Sequence, residues 1–193
     1  EDVGTFVHSV LTTAVQNGVS ATALRTVNEE VQQIIDDQLR EYGPPATDAE
    51  RDGLLAFLTE DVLPAVVESN LWRQLERADD VYVEKRLRGH VRRNDIEFEL
   101  EGQADFVLRH PDGTVTVTDT KIALTEPNAD TRLRYRVQVA CYAWLLARET
   151  DVDDPTAITT AVETFGAIND RTAEPLSPSI IRDRLDALLD GGR

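Results

Sequence analysis

The sequence predicts an α/β chain, with a mixed central sheet flanked by helices and a helical N-terminal lobe. Apolar residues recur at helical spacing from Gly4 to Leu75. After Arg77 the period drops to two, and beyond Leu133 the pattern returns to helix, strand and helix. The expected division is a lobe at residues 1–78 and a sheet with its helices at 79–193.

The first helix spans Gly4 to Gln16, with Phe6, Val7, Val10, Leu11, Ala14 and Val15 on its apolar stripe, and Asn17-Gly18 ends it. Ser20 caps a second helix whose stripe is Leu24, Val27, Val31, Ile34, Ile35 and Leu39. Gly43-Pro44-Pro45 breaks the chain. A third helix starts at Thr47 or Asp48 and carries Leu54, Leu55, Phe57, Leu58, Val62 and Leu63 toward Pro64, where it kinks or restarts. A further helix begins at Pro64 or Ser69 and runs through Trp72 to Leu75. Strands follow at Val81–Leu87, Ile96–Leu100, Ala104–Arg109 and Thr114–Lys121. Leu133–Ala147 is helix, Ala157–Ala167 a last strand and Ser179–Leu189 a closing helix.

Composition narrows the function classes. No apolar run reaches the ~18 residues of a membrane span, and no secretory signal is visible, so a cytoplasmic location without membrane association is expected. A single cysteine, Cys141, excludes an internal disulfide framework and a self-contained four-cysteine zinc or iron–sulfur site. The net charge is −16, and of the 20 basic residues only Lys85 and Lys121 are lysine. An acid excess with so little lysine reads as adaptation to a very salty cytoplasm; an ordinary acidic protein is the other reading. At ~1 M salt the screening length is about 3 Å, so the global charge hardly reaches a ligand. Methionine is absent and the chain opens at Glu1, which fits a piece of a longer polypeptide.

The most specific chemistry lies around one turn. In Pro111-Asp112-Gly113 the proline presets φ, the aspartate suits the next position and the glycine takes the left-handed one, a three-residue hairpin loop with a bulge. His110 then pairs with Thr114, and counting back sets Asp105 opposite Asp119. Opposite residues share a face with Cβ atoms ~5 Å apart, and Lys121 follows on that face. Two carboxylates at that spacing repel unless a cation sits between them, and a hard divalent ion with oxygen ligands suits. Lys121 would orient a water or stabilise charge on a phosphate. The competing reading is a solvated Asp–Asp–Lys ladder. Gln138 and Tyr142 lie four apart on one helical face with Tyr135, and His8 lies on the first helix.

Together, Gly4 to His8 (G-x-x-x-H), Gly102 to Asp105 (G-x-x-D), Asp119 to Lys121 (D-x-K) and Gln138 to Tyr142 (Q-x-x-x-Y) resemble, in order and spacing, the RecB-type branch of the PD-(D/E)XK nucleases. The resemblance implies a restriction-endonuclease-like core and metal-dependent phosphodiester hydrolysis, with Mg²⁺ or Mn²⁺ held by His8, Asp105, Asp119 and the backbone carbonyl of Thr120. It implies Lys121 as the catalytic lysine, and Gln138 and Tyr142 as residues that shape the site and contact DNA. Glu84 matches a glutamate often found in the preceding strand. Exonucleases of this branch are commonly fused behind a UvrD/Rep-type helicase, as in RecBCD and AddAB, and act in DNA repair and recombination. Their iron–sulfur relatives need cysteines this chain lacks, so no iron–sulfur cluster is expected. The family's usual D-Y-K-T reads Asp119-Thr120-Lys121-Ile122 here.

A DNA surface needs local base. From Glu84 to Arg93 five Lys or Arg stand against one Glu, and Arg132, Arg134 and Arg136 precede Gln138. Lys85, Arg86, Arg88, Arg132 and Arg136 are the candidate phosphate contacts; surface ion pairs are the other use for them. An inactive, nuclease-like DNA-binding or interaction module is the alternative for the whole chain.

Overall fold

In the computed structural model the described residues are 3–42, 47–93, 96–150 and 157–177. The expected Gly43-Pro44-Pro45 break and closing helix Ser179–Leu189 lie outside them. Helices α1 (Val3–Gln16), α2 (Ala21–Thr26), α3 (Glu29–Tyr42), α4 (Asp48–Ala56), α5 (Leu63–Glu68) and α6 (Asn70–Leu75) come first. Strands β1 (Asp80–Arg93), β2 (Ile96–Arg109) and β3 (Val115–Ala123) follow, then α7 (Ala129–Glu149), β4 (Ile158–Gly166) and β5 (Asp170–Pro175). The five strands form one sheet in the order β1-β2-β3-β4-β5. This is the expected α/β chain, with the helices and one mixed sheet.

Contacts divide the chain into two compact units. One comprises Glu1–Glu76, Thr120–Glu126 and Glu163–Asp170; the other comprises Arg77–Asp119, Pro127–Val162 and Arg171–Arg193. The first unit therefore takes the ends of β3 and β4 as well as helices α1–α6. Its core packs Phe6, Val7, Val10 and Leu11 of α1 with Val31, Ile34 and Ile35 of α3, Leu63 and Val66 of α5, and Phe165. Full burial of each such side chain contributes about 1.5–3 kcal/mol. The second unit packs Leu87, Ala104, Val107 and Val117 of the sheet with Val139, Ala143, Leu145 and Leu146 of α7.

The single helix expected from Ser20 onward is two. Ser20 caps α2 as expected, its hydroxyl accepting from Ala23 N at 3.2 Å. Val27 then adopts φ 44°, a left-handed conformation rarely given to a β-branched residue, and its N–H closes on Ala23 and Leu24. Asn28 restarts the chain, its Oδ1 accepting from Val31 N at 3.0 Å. The asparagine cap won over the uninterrupted apolar stripe. Thr47 and Glu50 form a reciprocal capping box at the start of α4. Before Pro64 the helix widens into a π segment, Phe57–Val62, where Leu63 N–H bonds Leu58 O five residues back. Proline has no N–H to continue the ordinary ladder, and Pro64 sits in the first turn of α5, the expected restart.

β1 and β2 are longer than expected and pair antiparallel from Asp80↔Arg109 to Arg93↔Ile96. Cross-strand ion pairs lie on this extension: Arg88 meets Glu99 at 3.1 Å and Glu101 at 3.3 Å. The sequence pattern does not predict β5, since Asp170–Pro175 alternates without strongly apolar positions. The β3–β4 orientation follows from one bond, Ala167 N to Ala123 O at 2.7 Å. Were the strands antiparallel, the residues before Ala167 would face those after Ala123, beyond the end of β3. They are therefore parallel, joined through α7, with Gly166 beside Ala123 and Glu163 beside Thr120.

Candidate active site

The hairpin expected from Pro111-Asp112-Gly113 forms with the expected register. Gly113 has φ 83°, and His110 N donates to Thr114 O at 2.9 Å. Asp112 braces the turn: its Oδ1 accepts from Thr114 N at 2.9 Å and from the Thr114 hydroxyl at 2.6 Å. Those two bonds stabilise the ionised carboxylate, so Asp112 titrates below the usual value of 3.8. Pairing runs Arg109↔Val115, Leu108↔Thr116, Val107↔Val117 and Phe106↔Thr118. The next step of that register sets Asp105 across from Asp119. Both are buried, with Asp105 9% and Asp119 2% exposed.

On the other side of β2, position 84 falls between the pairs Val83↔Phe106 and Lys85↔Ala104, so Glu84 stands across from Asp105. Three acidic positions thus lie in one row over β1, β2 and β3. Glu84 has φ 52°, left-handed backbone in the middle of a strand, which costs about 1–3 kcal/mol and interrupts the pleat at that point. Among the described residues no group of three His, Cys, Asp or Glu gathers as a ready metal cage. What β2 and β3 offer is a facing pair of buried carboxylates. Such hard oxygen donors fit a divalent cation, whose charge would offset their mutual repulsion.

In the first unit, His8 on α1 directs Nδ1 to the Thr120 hydroxyl at 3.3 Å. The expectation for Thr120 concerned its backbone carbonyl, whereas this contact is made through its side-chain hydroxyl. Thr120 lies between Asp119 and Lys121 on β3, and strand alternation turns its side chain away from theirs. Lys121 is half-buried.

Gln138 and Tyr142 join as expected for residues four apart on α7, Gln138 Nε2 donating to Tyr142 Oη at 2.6 Å. Gly102 of β2 lies under that ring: a β-carbon there would come 2.7 Å from Tyr142 Cδ1, and closer still to Cε1. Gly89 of β1 admits Leu145 in the same way, its absent β-carbon falling 2.8 Å from Leu145 Cδ2. The two glycines let α7 approach β1 and β2.

The basic candidates sit mostly in ion pairs. Lys85 bonds Glu149 at 2.7 Å and stands over the Tyr82 ring. Arg88 bridges Glu99 and Glu101. Arg136 holds Glu174 through Nε at 2.9 Å and through a second guanidinium nitrogen at 2.6 Å, which raises its already high pKa. Arg132 Nε donates to Pro127 O at 3.1 Å. Arg86 is exposed and makes no ion pair among the described residues. Exposed pairs are worth 0–1 kcal/mol, so exchange for phosphate would cost little. Glu163, only 3% exposed on β4, belongs to none of the sequence motifs. Its signal in the sequence is a lone acid within an apolar strand, Ala161-Val162-Glu163-Thr164-Phe165.

A sequence profile described as the PD-(D/E)XK nuclease superfamily matches residues 1–178. No curated protein matches. Among solved structures, the chain is similar to a provisionally named exonuclease from Eubacterium rectale, with 12% identity and a TM-score of 0.51 over 97% of this chain and 64% of that one. It thus spans less than two thirds of that protein. A protein called SSO0001 aligns with 16% identity and a TM-score of 0.42, over 95% of this chain and 72% of that one. Among the described residues no helix is long and apolar enough to cross a membrane.

Proposed function

The chain belongs to the PD-(D/E)XK nuclease superfamily, and from that premise we propose that it is a deoxyribonuclease that needs Mg²⁺ or Mn²⁺. The observation that supports this reading is the β2–β3 register: continued one step past Phe106↔Thr118, it sets the buried carboxylates Asp105 and Asp119 opposite one another, with Lys121 two residues along the same strand. Asp105 and Asp119 would hold the ion, and on the strength of the sequence motif His8 and the Thr120 carbonyl would join them. A bound divalent ion supplies Lewis acidity and a more acidic water. Lys121 would orient an attacking water and meet charge growing on the phosphate. Gln138 fixes the Tyr142 phenol, and Glu84, Lys85, Arg86, Arg88, Arg132 and Arg136 offer the approach to the DNA strand.

The order of the four motifs supports a RecB-type exonuclease that works with a UvrD/Rep-type helicase on DNA ends during repair and recombination. The acid excess supports assay in molar KCl. The test is cleavage of linear duplex and single-stranded DNA by the wild-type chain with either metal. Cleavage that falls to background in Asp119→Ala and Lys121→Ala is the expected result. A wild-type chain that cuts neither DNA overturns the reading.

One observation favours a second reading, a nuclease-like fold that binds DNA without cutting it: the lack of a three-ligand metal group among the described residues. Tight DNA binding with no Mn²⁺ binding would distinguish it.

A further inference from the structure

Glu163 is a buried carboxylate that the proposed hydrolysis does not use. It stands on β4 beside Thr120 of β3, in the register fixed by the bond from Ala167 N to Ala123 O. Parallel neighbours are ~4.8 Å apart and share a sheet face, within reach of a glutamate side chain for a threonine hydroxyl. Thr120, 7% exposed, is also the residue whose hydroxyl meets His8 Nδ1 at 3.3 Å. His8, Thr120 and Glu163 all belong to the first compact unit.

We propose that Glu163 sets the tautomer of His8 through the Thr120 hydroxyl. A hydroxyl has one hydrogen to donate and lone pairs to accept. A buried carboxylate needs hydrogen-bond donors, and it is the stronger acceptor on offer to Thr120. The Thr120 proton therefore goes to Glu163, and the Thr120 oxygen must accept from His8. That puts the His8 proton on Nδ1 and leaves the Nε2 lone pair bare. Glu163 is a positioning residue in this scheme and touches no substrate. For its consequence only, the inference rests on the proposed role of His8: a bare Nε2 is the atom with which a histidine binds a metal while its other nitrogen is held by a hydrogen bond.

The test is the ring ¹⁵N spectrum of His8 in the full metal-free chain at a pH where the imidazole is neutral. Wild type shows the proton on Nδ1. Glu163→Met, similar in length but without the strong acceptor, frees the Thr120 hydroxyl to donate to His8. The Nδ1–H to Nε2–H ratio then falls about fivefold, the worth of one hydrogen bond. Thr120→Ser retains the wild-type tautomer and Thr120→Val loses it. A wild-type proton on Nε2 overturns the inference and needs no variant to fold; an unchanged ratio in a folded Glu163→Met chain overturns it too. Because the spectrum is taken without metal or DNA, failure of the nuclease reading would leave this result standing.

Discussion

The ring of Tyr142 occupies the space that a β-carbon on Gly102 would need, 2.7 Å from its Cδ1 atom. Two short motifs that look unrelated in sequence, Gly102–Asp105 and Gln138–Tyr142, are therefore parts of one packing contact. The glycine is required by the tyrosine, and the glutamine holds the tyrosine by its hydroxyl.

Gly102→Ala is expected to destabilise the chain by about 1–3 kcal/mol through overpacking. Tyr142→Ala removes the obstacle, so Gly102→Ala should cost much less in that background. Urea midpoints for the two single variants and the double variant give the coupling. Additive effects would show that the ring does not fill this space in solution.

Asp112 is expected to titrate below 3.8, since its two bonds from Thr114 favour the charged form. The sign follows from linkage. With the folded pKa depressed, this contribution to turn stability is complete above the unfolded pKa and is lost as pH falls through the folded one. An NMR titration of the Asp112 carboxyl and the Thr114 amide should show both moving together below pH ~4. Asp112→Asn should remove that step from the amide curve. An Asp112 carboxyl titrating at or above its ordinary value would contradict the turn geometry.

Arg136 and Glu174 tie α7 to β5 through two parallel bonds. A double-mutant cycle with Arg136→Ala and Glu174→Ala should give a coupling of about 0.5–1 kcal/mol at low salt, shrinking in molar KCl because the pair is partly exposed. If Arg136→Ala weakens DNA binding while Glu174→Ala strengthens it, the pair is one that phosphate displaces. A coupling near zero would make the pair irrelevant to stability.

The parts of this fold legible in the sequence are those decided locally. Pro111, Asp112 and Gly113 carry their turn chemistry in three consecutive residues, and that alone predicts the register seen from Arg109↔Val115 to Phe106↔Thr118, one step from Asp105 and Asp119. Ser20 and Thr47 announce helix starts by the same local logic. Val27 hid the division of α2 from α3, because a valine with φ 44° runs against its own preference and continues the apolar stripe. Glu84 reads as an ordinary strand glutamate, and nothing nearby in sequence marks its φ of 52°. The relation of Glu163 to Thr120 depends on a parallel pairing across α7, which local spacing does not encode. Arginine contacts were the least legible: charge runs show where base lies, but Glu149 and Glu174, which answer Lys85 and Arg136, are distant in sequence.

The central claim is that Asp105 and Asp119 hold a divalent ion for hydrolysis. Its most direct test is calorimetric titration of Mn²⁺ into the wild-type chain and into Asp105→Asn and Asp119→Asn, with folding confirmed for each. Wild type should bind Mn²⁺ and be stabilised by it, by about 2.7 kcal/mol at a hundredfold excess over Kd, while either variant loses most of that affinity. Wild-type binding that both variants retain in full, or no wild-type binding at all, would contradict the account.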